Sequence, residues 1–179
     1  MSEKSVMKVV TGPNCRMSYA TVWEPKSMQE GDPKYSVAVL VPKTDKATLS
    51  KIEKAIEAAK QLGIEKFGQA FLKGKFKNPL RDGDEEKPDD EAYQGHFFFN
   101  ASSKQRPQIV DEGVNPILDQ DEFYSGCYGR AAVNFYPYNN VSKGIGVGLN
   151  NLMKTADGDK LGGGSTAAED FGEFDDSLE

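Results

Sequence analysis

The sequence is poor in the residues that bind metals or cross-link a chain. Its 179 residues include one histidine and two cysteines. Two thiols cannot form a disulfide framework, and with a single imidazole they leave a four-ligand zinc site incomplete. We therefore predict that Cys15 and Cys127 are small core residues and that the protein needs no metal and no cofactor.

Long apolar segments are absent too. No run approaches the roughly 20 residues of a membrane-spanning helix, and the mean hydropathy is -0.60. Residues 1–8 carry Glu3, Lys4 and Lys8 with no apolar block behind them, so no secretory or transit signal is visible. These features predict a cytoplasmic protein that does not contact membranes.

Catalytic signatures are missing as well. Neither G-x-S-x-G nor a P-loop occurs, and Leu149 stands where a dinucleotide fingerprint that begins at Gly144 needs a later glycine. His96 precedes three phenylalanines in a strand-like segment, where a histidine is more often packed than catalytic. The seven acids between residues 81 and 91 are most simply a solvated loop. We therefore predict that the protein is not an enzyme.

Three glycines alternate at positions 144, 146 and 148 of one predicted strand. They remove side chains from one strand face, so that another backbone, a helix or a ligand can approach closely. The pattern leaves packing and ligand binding both open, and packing is the more frequent use.

Negative charge is concentrated at one end of the chain. The net charge is -6, and residues 162–179 hold six acids and no Lys or Arg, so residues 1–161 sum to zero. Within that neutral part, residues 1–80 carry fourteen bases against eight acids. A folded body with a basic face is therefore compatible with nucleic-acid binding, although the pI of the whole chain is near 5.0.

Strand patterns dominate the sequence and predict a mostly β fold. They cover residues 5–11, 16–23, 35–41, 95–102, 106–111, 127–138 and 144–149. One strong helical pattern lies between the third and fourth strands, with Thr44 or Asp45 as N-cap and Gly63 as its stop. This order predicts an OB-fold-like antiparallel barrel with one main helix. It disfavours an RRM, because no helical period appears before residue 44.

We expect the chain to divide into one domain and a tail. Residues 1–161 are predicted to form the OB-fold domain. Within it, residues 63–91 alternate aromatics, Lys and Gly and then become acidic, which predicts a long loop or mobile insertion. Residues 162–179 begin as a glycine-rich linker and continue as a disordered acidic tail.

Aromatic and cationic residues lie side by side in strand and loop segments. Single-stranded nucleic acid offers base faces for stacking and phosphates for Lys and Arg, so this mixture predicts a single-strand binding surface. Each aromatic alone would more often be a core residue, and the signal is collective. The predicted DNA-binding residues are Arg16, Tyr19, Lys34, Tyr35, Lys75, Phe76, Lys77, Lys104, Arg106, Arg130, Tyr136, Tyr138 and Lys143.

The tail combines acids with apolar residues spaced at i, i+3 and i+7, which a merely solubilising tail would not need. Such a segment can imitate a nucleic-acid backbone in a basic groove and can present apolar side chains to a partner protein. Its eighteen flexible residues have a mean reach of about 23 Å, enough to fold back across a small barrel. The predicted partner-binding residues are Glu169, Asp170, Phe171, Glu173, Phe174, Asp175, Asp176 and Leu178.

Short motifs spread over about residues 8–166 carry a family resemblance. In the first half of the chain they are RMSYA at 16–20, WEPK at 23–26, PKYSV at 33–37 and VPK at 41–43. In the second half they are NASSK at 100–104, RP at 106–107, YSGCY at 124–128, NFY at 134–136, KGIG at 143–146, LNN at 149–151 and DGDKLGGG at 157–164. In these motifs the chain resembles phage single-stranded-DNA-binding proteins with an OB-fold, a family long catalogued as a domain of unknown function.

This resemblance implies a non-enzymatic protein of phage DNA replication or recombination that coats single strands in the cytoplasm of a bacterial host. The tail is similar to those of bacterial and phage single-strand binders, which implies that it competes with DNA and recruits phage proteins. We expect duplex binding once the tail is removed, and the sequence leaves a homo-oligomer open. The alternative is an adaptor whose OB-fold binds another protein and no DNA. A phage nuclease or nucleotide-binding enzyme ranks third, since the sequence has no recognisable ligand set.

Overall fold

The computed structural model describes residues 6–27 and 32–161. Its strands are β1 (Lys8–Val10), β2 (Cys15–Lys26), β3 (Lys34–Pro42), β4 (Arg81–Asp82), β5 (His96–Ser103), β6 (Gln108–Val110), β7 (Tyr128–Asn139) and β8 (Lys143–Ala156). The α-helices are α1 (Lys46–Phe67) and α2 (Gly83–Glu86), and short 3-10 helices cover Gln69–Leu72 and Gln120–Glu122. The fold is therefore mostly β with one long helix, as predicted.

Five of the strands close into a ring. β7 pairs with β2, β2 with β3, β3 with β5 and β5 with β8, and β8 returns to β7. The β5–β8 contact is parallel and the other four are antiparallel. Two of these strand pairings are short, since β2 and β7 share two aligned residue pairs and β5 and β8 share one. This arrangement is the partly open five-stranded barrel of an OB-fold, and the predicted fold class is confirmed.

The remaining strands extend this ring without belonging to it. The order of the strand patterns predicts that β1 is the first strand of the barrel, but it pairs with β7 at the margin, opposite residues 132–134. β6 runs parallel to β8 beyond the end of β5. Helix α1 follows β3 in chain order as predicted, and it connects the second and third strands of the ring.

The interior of the ring is apolar because alternate residues of each strand point inward. On β3 the inward residues Val37, Val39 and Val41 are at most 1% exposed. Phe99 of β5 and Phe135 of β7 meet across the core with ring centroids 5.9 Å apart. Helix α1 adds its own buried stripe to this cluster, so one continuous core joins the barrel and the helix.

Helix α1 begins where the sequence predicts and ends later. The Asp45 side chain accepts a hydrogen bond from the backbone N–H of Thr48 at 3.2 Å, which satisfies a free donor of the first turn. The predicted stop at Gly63 is wrong, because the helix continues to Phe67 and ends at Gly68, whose φ is 92°. Gly63 serves packing instead, since a Cβ there would lie 2.2 Å from the ring of Phe71. No helix in the described ranges is long and apolar enough to cross a membrane.

The segment that follows α1 contributes to the core. Phe71, which falls in the predicted insertion, is 1% exposed and packs edge-on against Phe76 at 5.3 Å between ring centroids. Farther on, the Lys43 Nζ lies 2.8 Å from Asp82 Oδ1 and 2.7 Å from Asp84 Oδ2, which ties β4 and α2 to the end of β3. The boundary between domain and tail stays a prediction, because residues 162–179 lie outside the described residues.

A second apolar cluster covers part of the outer face of the barrel. It consists of Ala38 and Leu40 of β3, Phe98 of β5, and Ala92 and Tyr93 from the loop before β5. Tyr93 packs edge-on against Phe98 with centroids 5.0 Å apart, and its hydroxyl lies 3.1 Å from the hydroxyl of Ser18 on β2. We call these five residues the outer cluster.

Both cysteines are fully buried in the main core, which confirms the prediction for Cys15 and Cys127. Desolvation by burial raises the pKa of the Cys15 thiol to about 12. Because only the thiolate is a good nucleophile, neither residue is placed for thiol chemistry. His96 opens β5, half-buried, with its Nδ1 2.7 Å from the carbonyl oxygen of Gln94.

Candidate nucleic-acid interface

An OB-fold barrel binds oligonucleotides on the outer face of its second and third strands, between the loop that joins strands one and two and the loop that joins strands four and five. In this ring those strands are β3 and β5, and the corresponding connections join β2 to β3 and β7 to β8. The outer cluster covers one half of that face. The other half is open to solvent and is the candidate interface.

The open half presents one small or polar residue from each strand of the ring. Strand pairing aligns, in order, Thr21 of β2, Ser36 of β3, Ser102 of β5, Gly148 of β8 and Asn134 of β7. We call these five residues the polar strip, and each is partly exposed. Four interstrand steps make the strip about 19 Å long when measured along the curved sheet. A bound strand that followed it would bend around the barrel.

The glycines of β8 have close neighbours inside the protein. A Cβ at Gly148 would lie 2.6 Å from the Oδ1 of Asn134, and a Cβ at Gly146 would lie 2.6 Å from the Cζ of Tyr136. At Gly144 the carbonyl oxygen of Lys77 would be 2.4 Å away. All three neighbours belong to the chain itself, which supports the packing interpretation of the alternate glycines.

Tyr19 stands at the β2 end of the polar strip. Its side chain is 64% exposed, and its φ of 47° lies in the left-handed region, where the pairing of β2 with β3 shifts register between Ser18 and Thr21. Non-glycine residues in this region carry backbone strain of a kind that clusters at functional sites. The Nζ of Lys87 lies 5.9 Å from the ring centroid. A base at this point would find an exposed ring and a nearby cation.

Tyr136 and Tyr138 stand at the β7 end. Tyr136 is 41% exposed, and partial burial raises the pKa of its hydroxyl above the ordinary value, so the ring stays neutral at physiological pH. Tyr138 lines a groove of about 560 Å³ between β7 and the loop before β4. Lys77 and Asn100 line the same groove, which therefore combines an aromatic ring, a cation and an amide.

Exposed lysines gather where β3 begins and β5 ends. Lys34 is aligned with Lys26 across the β2–β3 pair, and Lys104 follows β5 directly. Lys104 Nζ lies 3.4 Å from the carboxylate of Asp32, an exposed contact that holds neither side chain firmly. This end of the barrel has the cations that a phosphate backbone needs.

Five more of the predicted residues lie at one of two ends, the lysine-rich end where β3 begins and β5 ends, or the β7 end of the polar strip beside Tyr138. Tyr35 is half-buried opposite Ser103, and Arg106 holds its guanidinium carbon 5.5 Å from the Trp23 ring centroid, both near the lysines of β3. Lys75 and Lys77 are exposed in the loop beside Tyr138, and Lys143 lies there too, although its Nζ donates a hydrogen bond to the Ala70 carbonyl at 2.9 Å. Each end therefore holds at least one predicted ring and two predicted cations.

Three predicted residues are not brought to the strip. Arg16 donates hydrogen bonds to the carbonyls of Gly126 and Asp159, at 3.1 Å and 2.7 Å, so its guanidinium already has backbone partners. Phe76 packs on Phe71 in the core. Arg130 lies six positions before Tyr136 on β7, beside β1.

Sequence analysis did not predict four residues that the structure places around the polar strip. Asn100 could have been found from strand alternation, since its neighbours Phe99 and Ala101 point inward. Lys26 could have been found as the end of the β2 motif. Arg81 and Lys87 lie in the acidic stretch predicted to be a solvated loop, and no local pattern separates them from it.

The end of the described chain is fixed beside the outer cluster. Leu161 packs on that cluster, and its backbone N–H donates to the carbonyl of Ser125 at 2.9 Å. The Tyr124 hydroxyl lies 2.9 Å from the Asp157 carboxylate, which accepts its hydrogen bond. The described chain therefore ends beside the outer face of β3 and β5. The tail residues that we predicted as contacts, from Glu169 to Leu178, lie outside the described residues.

Comparison with known proteins identifies a family and a curated relative. The family model described as "Enterobacter phage Enc34, ssDNA-binding protein" matches residues 7–179. Putative protein p50 of Acyrthosiphon pisum secondary endosymbiont phage 1 is 34% identical over 170 residues, which cover 91% of this chain and 90% of the relative.

Solved structures share the fold. The single-stranded DNA-binding protein from bacteriophage Enc34, in complex with ssDNA, is 23% identical with a TM-score of 0.75, and the match covers 87% of this chain and 90% of that one. Gp2.5, a single-stranded DNA binding protein encoded by bacteriophage T7, is 16% identical with a TM-score of 0.61, and the match covers 91% and 93% of the two chains.

Proposed function

We propose that this protein binds single-stranded DNA and catalyses no reaction, and the proposal starts from its family: the chain belongs to the family of the Enterobacter phage Enc34 ssDNA-binding protein. The observation that carries the proposal is the polar strip, where all five ring strands present small or polar residues in register between the exposed Tyr19 and Tyr136. Unpaired DNA exposes both faces of its bases, and such a surface accepts them without a clash.

Binding would combine ring stacking with phosphate contacts. Tyr19, Tyr136 and Tyr138 supply aromatic faces, and each stacked base contributes about 1 to 3 kcal/mol. The lysines at the two ends, with Lys34 and Lys104 at one and Lys75 and Lys77 at the other, would hold the backbone. Because every base has an aromatic face and every nucleotide a phosphate, this mode tolerates any sequence.

Sequence-tolerant binding fits a protein that coats strands during phage DNA replication or recombination, in the cytoplasm of a bacterial host. The family and the phage origin of the relatives support this role. An adaptor that bound only another protein through the same barrel would not need paired rings and lysines around the strip.

We further propose that the acidic tail competes with DNA and recruits partner proteins. Residues 162–179 carry six acids and no base, and the described chain ends at Leu161 on the outer cluster, which shares the outer face of β3 and β5 with the open half. Carboxylates near the strip lower the local affinity for phosphates. When DNA displaces the tail, Phe171, Phe174 and Leu178 become available to phage replication or recombination proteins.

The test measures fluorescence anisotropy of a labelled oligo-dT with the full chain and with a chain shortened to residues 1–161, over a series of salt concentrations. We expect both to bind, with log Kobs falling linearly with log salt at a slope of about -0.7 per phosphate contact. The shortened chain should bind more tightly at low salt and should also bind duplex. This difference should shrink at high salt, because salt screens the tail.

Thermal unfolding followed by circular dichroism checks that the shortened chain is folded. Absence of binding by both folded chains at low salt would exclude the DNA function and favour the adaptor. Equal affinities of the two chains at every salt concentration would exclude competition by the tail and leave DNA binding intact.

A further inference from the structure

A pocket of about 390 Å³ borders the polar strip on the side away from the outer cluster. On β2, Trp23 lies two positions after Thr21 of the strip, about 7 Å along the strand. On β5, Phe98 of the outer cluster precedes Ser102 of the strip, and Arg106 follows just beyond the end of the strand. Both Trp23 and Arg106 line the pocket, so a DNA strand bound along the strip passes beside it.

One wall of this pocket is a short hairpin that backbone hydrogen bonds hold in place. The Ile117 N–H donates to the carbonyl of Ile109 at 2.8 Å, and Val110 and Pro116 form a bridge between them. In the turn that follows, the Asp111 carboxylate accepts hydrogen bonds from two backbone N–H groups, each at 2.9 Å. The wall is therefore formed before any ligand arrives, which lowers the entropic cost of binding.

The lining combines apolar side chains with a cation on an aromatic ring. Ile109 and Ile117 are buried, whereas Leu118 is 85% exposed and leaves the pocket open. The guanidinium carbon of Arg106 lies 5.5 Å from the Trp23 ring centroid. The indole Nε1 donates to a backbone carbonyl at 2.9 Å, which fixes the orientation of the ring. No ion pair of the described residues involves Arg106, so its charge is available to a ligand.

We propose that this pocket binds one nucleobase of a DNA strand that runs past the polar strip, with Trp23 and Arg106 as the residues that hold it. Unpaired bases stack on aromatic side chains and on the plane of an Arg guanidinium. Gln108 also lines the pocket and is exposed, so its amide offers a donor and an acceptor to the edge of the base. Lys104, two positions before Arg106, is exposed beside the pocket and holds the adjoining phosphate.

The other occupant to consider is an apolar side chain of a partner protein. It would use the apolar wall and leave the Arg106 guanidinium and the Gln108 amide without partners. A nucleotide uses all three features, because its base has flat faces and polar edges and its phosphate is anionic. The pocket also continues the polar strip, so the strand reaches it without leaving the barrel surface.

This inference rests on the proposed single-strand binding and extends it. The bound strand occupies the five positions of the polar strip and one further position in the pocket. The DNA site is therefore longer than the outer face of the barrel alone, and the additional base is held by side chains that lie outside that face.

The experiment uses Trp23, the only tryptophan of the chain, as a reporter in the full-length protein. Its fluorescence is titrated with oligo-dT at low salt, and the anisotropy of a labelled oligo-dT is followed in a parallel titration. We expect the fluorescence to fall about twofold at saturation, because a base stacks beside the indole. Thymidine monophosphate at the same nucleotide concentration should leave the fluorescence unchanged, because it lacks the neighbouring phosphates that hold a strand on the strip.

Two exposed cations provide a matched pair of variants with opposite expected results. R106K keeps the charge and removes the planar group that stacks. It should reduce the fall in fluorescence and raise the dissociation constant about fivefold or more, with the salt slope unchanged. K104Q removes a charge and keeps the pocket, so it should lower the salt slope by about 0.7 and retain the full fall in fluorescence at saturation.

The two signals separate this inference from the proposed function. Anisotropy that shows binding while the Trp23 fluorescence stays unchanged would refute the pocket and leave DNA binding intact. Absence of both signals at low salt would refute both. An equal fall in fluorescence in R106K and in the original chain would also overturn the inference, because the indole would then respond without a base held by Arg106. Equal responses to thymidine monophosphate and to oligo-dT would overturn it in favour of a site for free nucleotides.

Discussion

The two halves of the outer face of β3 and β5 differ in what covers them. Along β3 the outward residues are Ser36, Ala38 and Leu40, and along β5 the residues paired with them are Ser102, Asn100 and Phe98. The outward side chains of both strands therefore become larger toward the end that holds Leu40 and Phe98. At the large end, the loop before β5 and Leu161 complete the outer cluster. At the small end nothing described covers the polar strip. The comparison shows that one pair of strands can supply a second core and a binding surface, because their outward residues change size along the strands.

Truncation of the covered half should have the largest effect. Phe98 is 2% exposed in the outer cluster, so F98A should lower the free energy of unfolding by about 3 to 5 kcal/mol through lost burial and a cavity. Urea denaturation measures this loss. S102A, on the same strand but in the polar strip, should change stability by less than about 0.5 kcal/mol. Similar losses in the two variants would mean that the two halves do not differ as described.

Removal of a ring from the open half should weaken DNA binding and spare stability. Asparagine tolerates the left-handed conformation of residue 19, so Y19N removes the ring without adding strain. The dissociation constant for oligo-dT, measured by anisotropy, should rise by about 5- to 150-fold, the equivalent of one stacked base. F67L, which alters an exposed ring at the end of α1, is the control and should bind normally. Unchanged affinity in Y19N would remove Tyr19 from the interface.

Charge at the margin of the open half should appear in the salt dependence. K104Q should reduce the slope of log Kobs against log salt by about 0.7, the value for one lost phosphate contact on a single strand. K54Q, on the exposed side of α1, removes the same charge away from the strip and should leave the slope unchanged. A slope that falls equally in both variants would show that net charge, rather than position, matters.

The smallest effect concerns the ion pairs that hold the cover of the outer cluster. Hydrogen bonds from Lys43 lower the pKa of the Asp82 and Asp84 carboxyls below 3.8, and the same contacts raise the pKa of Lys43 above 10.5. Their stabilisation is therefore present between about pH 4 and pH 10, and it is lost as the carboxylates protonate below that window or Lys43 deprotonates above it. K43M should melt slightly below the original chain at pH 7, and this difference should shrink toward pH 3. A constant difference from pH 7 to pH 3 would contradict the contribution of these ion pairs.

Much of the fold followed from local patterns. Alternation located the ring strands to within a few residues except at the long end of β8, and Asp45 identified the start of α1, because both signals depend on near neighbours in the chain. The end of α1 could not be predicted from local patterns. Gly63 is a residue type that commonly ends helices, but here it lies against Phe71, which the chain brings back to it after α1. Phe71 was assigned to an insertion for the same reason, because only its position in space shows that it completes the core.

The candidate site was predictable in kind and only in part by residue. Rings and cations beside each other indicated single-strand binding, and Tyr19 and Tyr136 are exposed as that requires. The same pattern included Arg16 and Phe76, which the structure uses to hold the chain end and to fill the core. Residue type cannot distinguish a free cation from one that already binds carbonyls.

The sequence by itself determined the class of the molecule: a neutral β-rich body that carries rings and lysines, a family membership, and an acidic end. Only the tertiary structure decided which of these residues share a surface, because register places Thr21, Ser36, Ser102, Gly148 and Asn134 side by side from distant parts of the chain. It also decided where the described chain ends, through hydrogen bonds of Arg16 and Leu161 to carbonyls far away in sequence. Pairing between strands and contacts between loops are set by the free energy of the whole packed chain, which no local pattern contains.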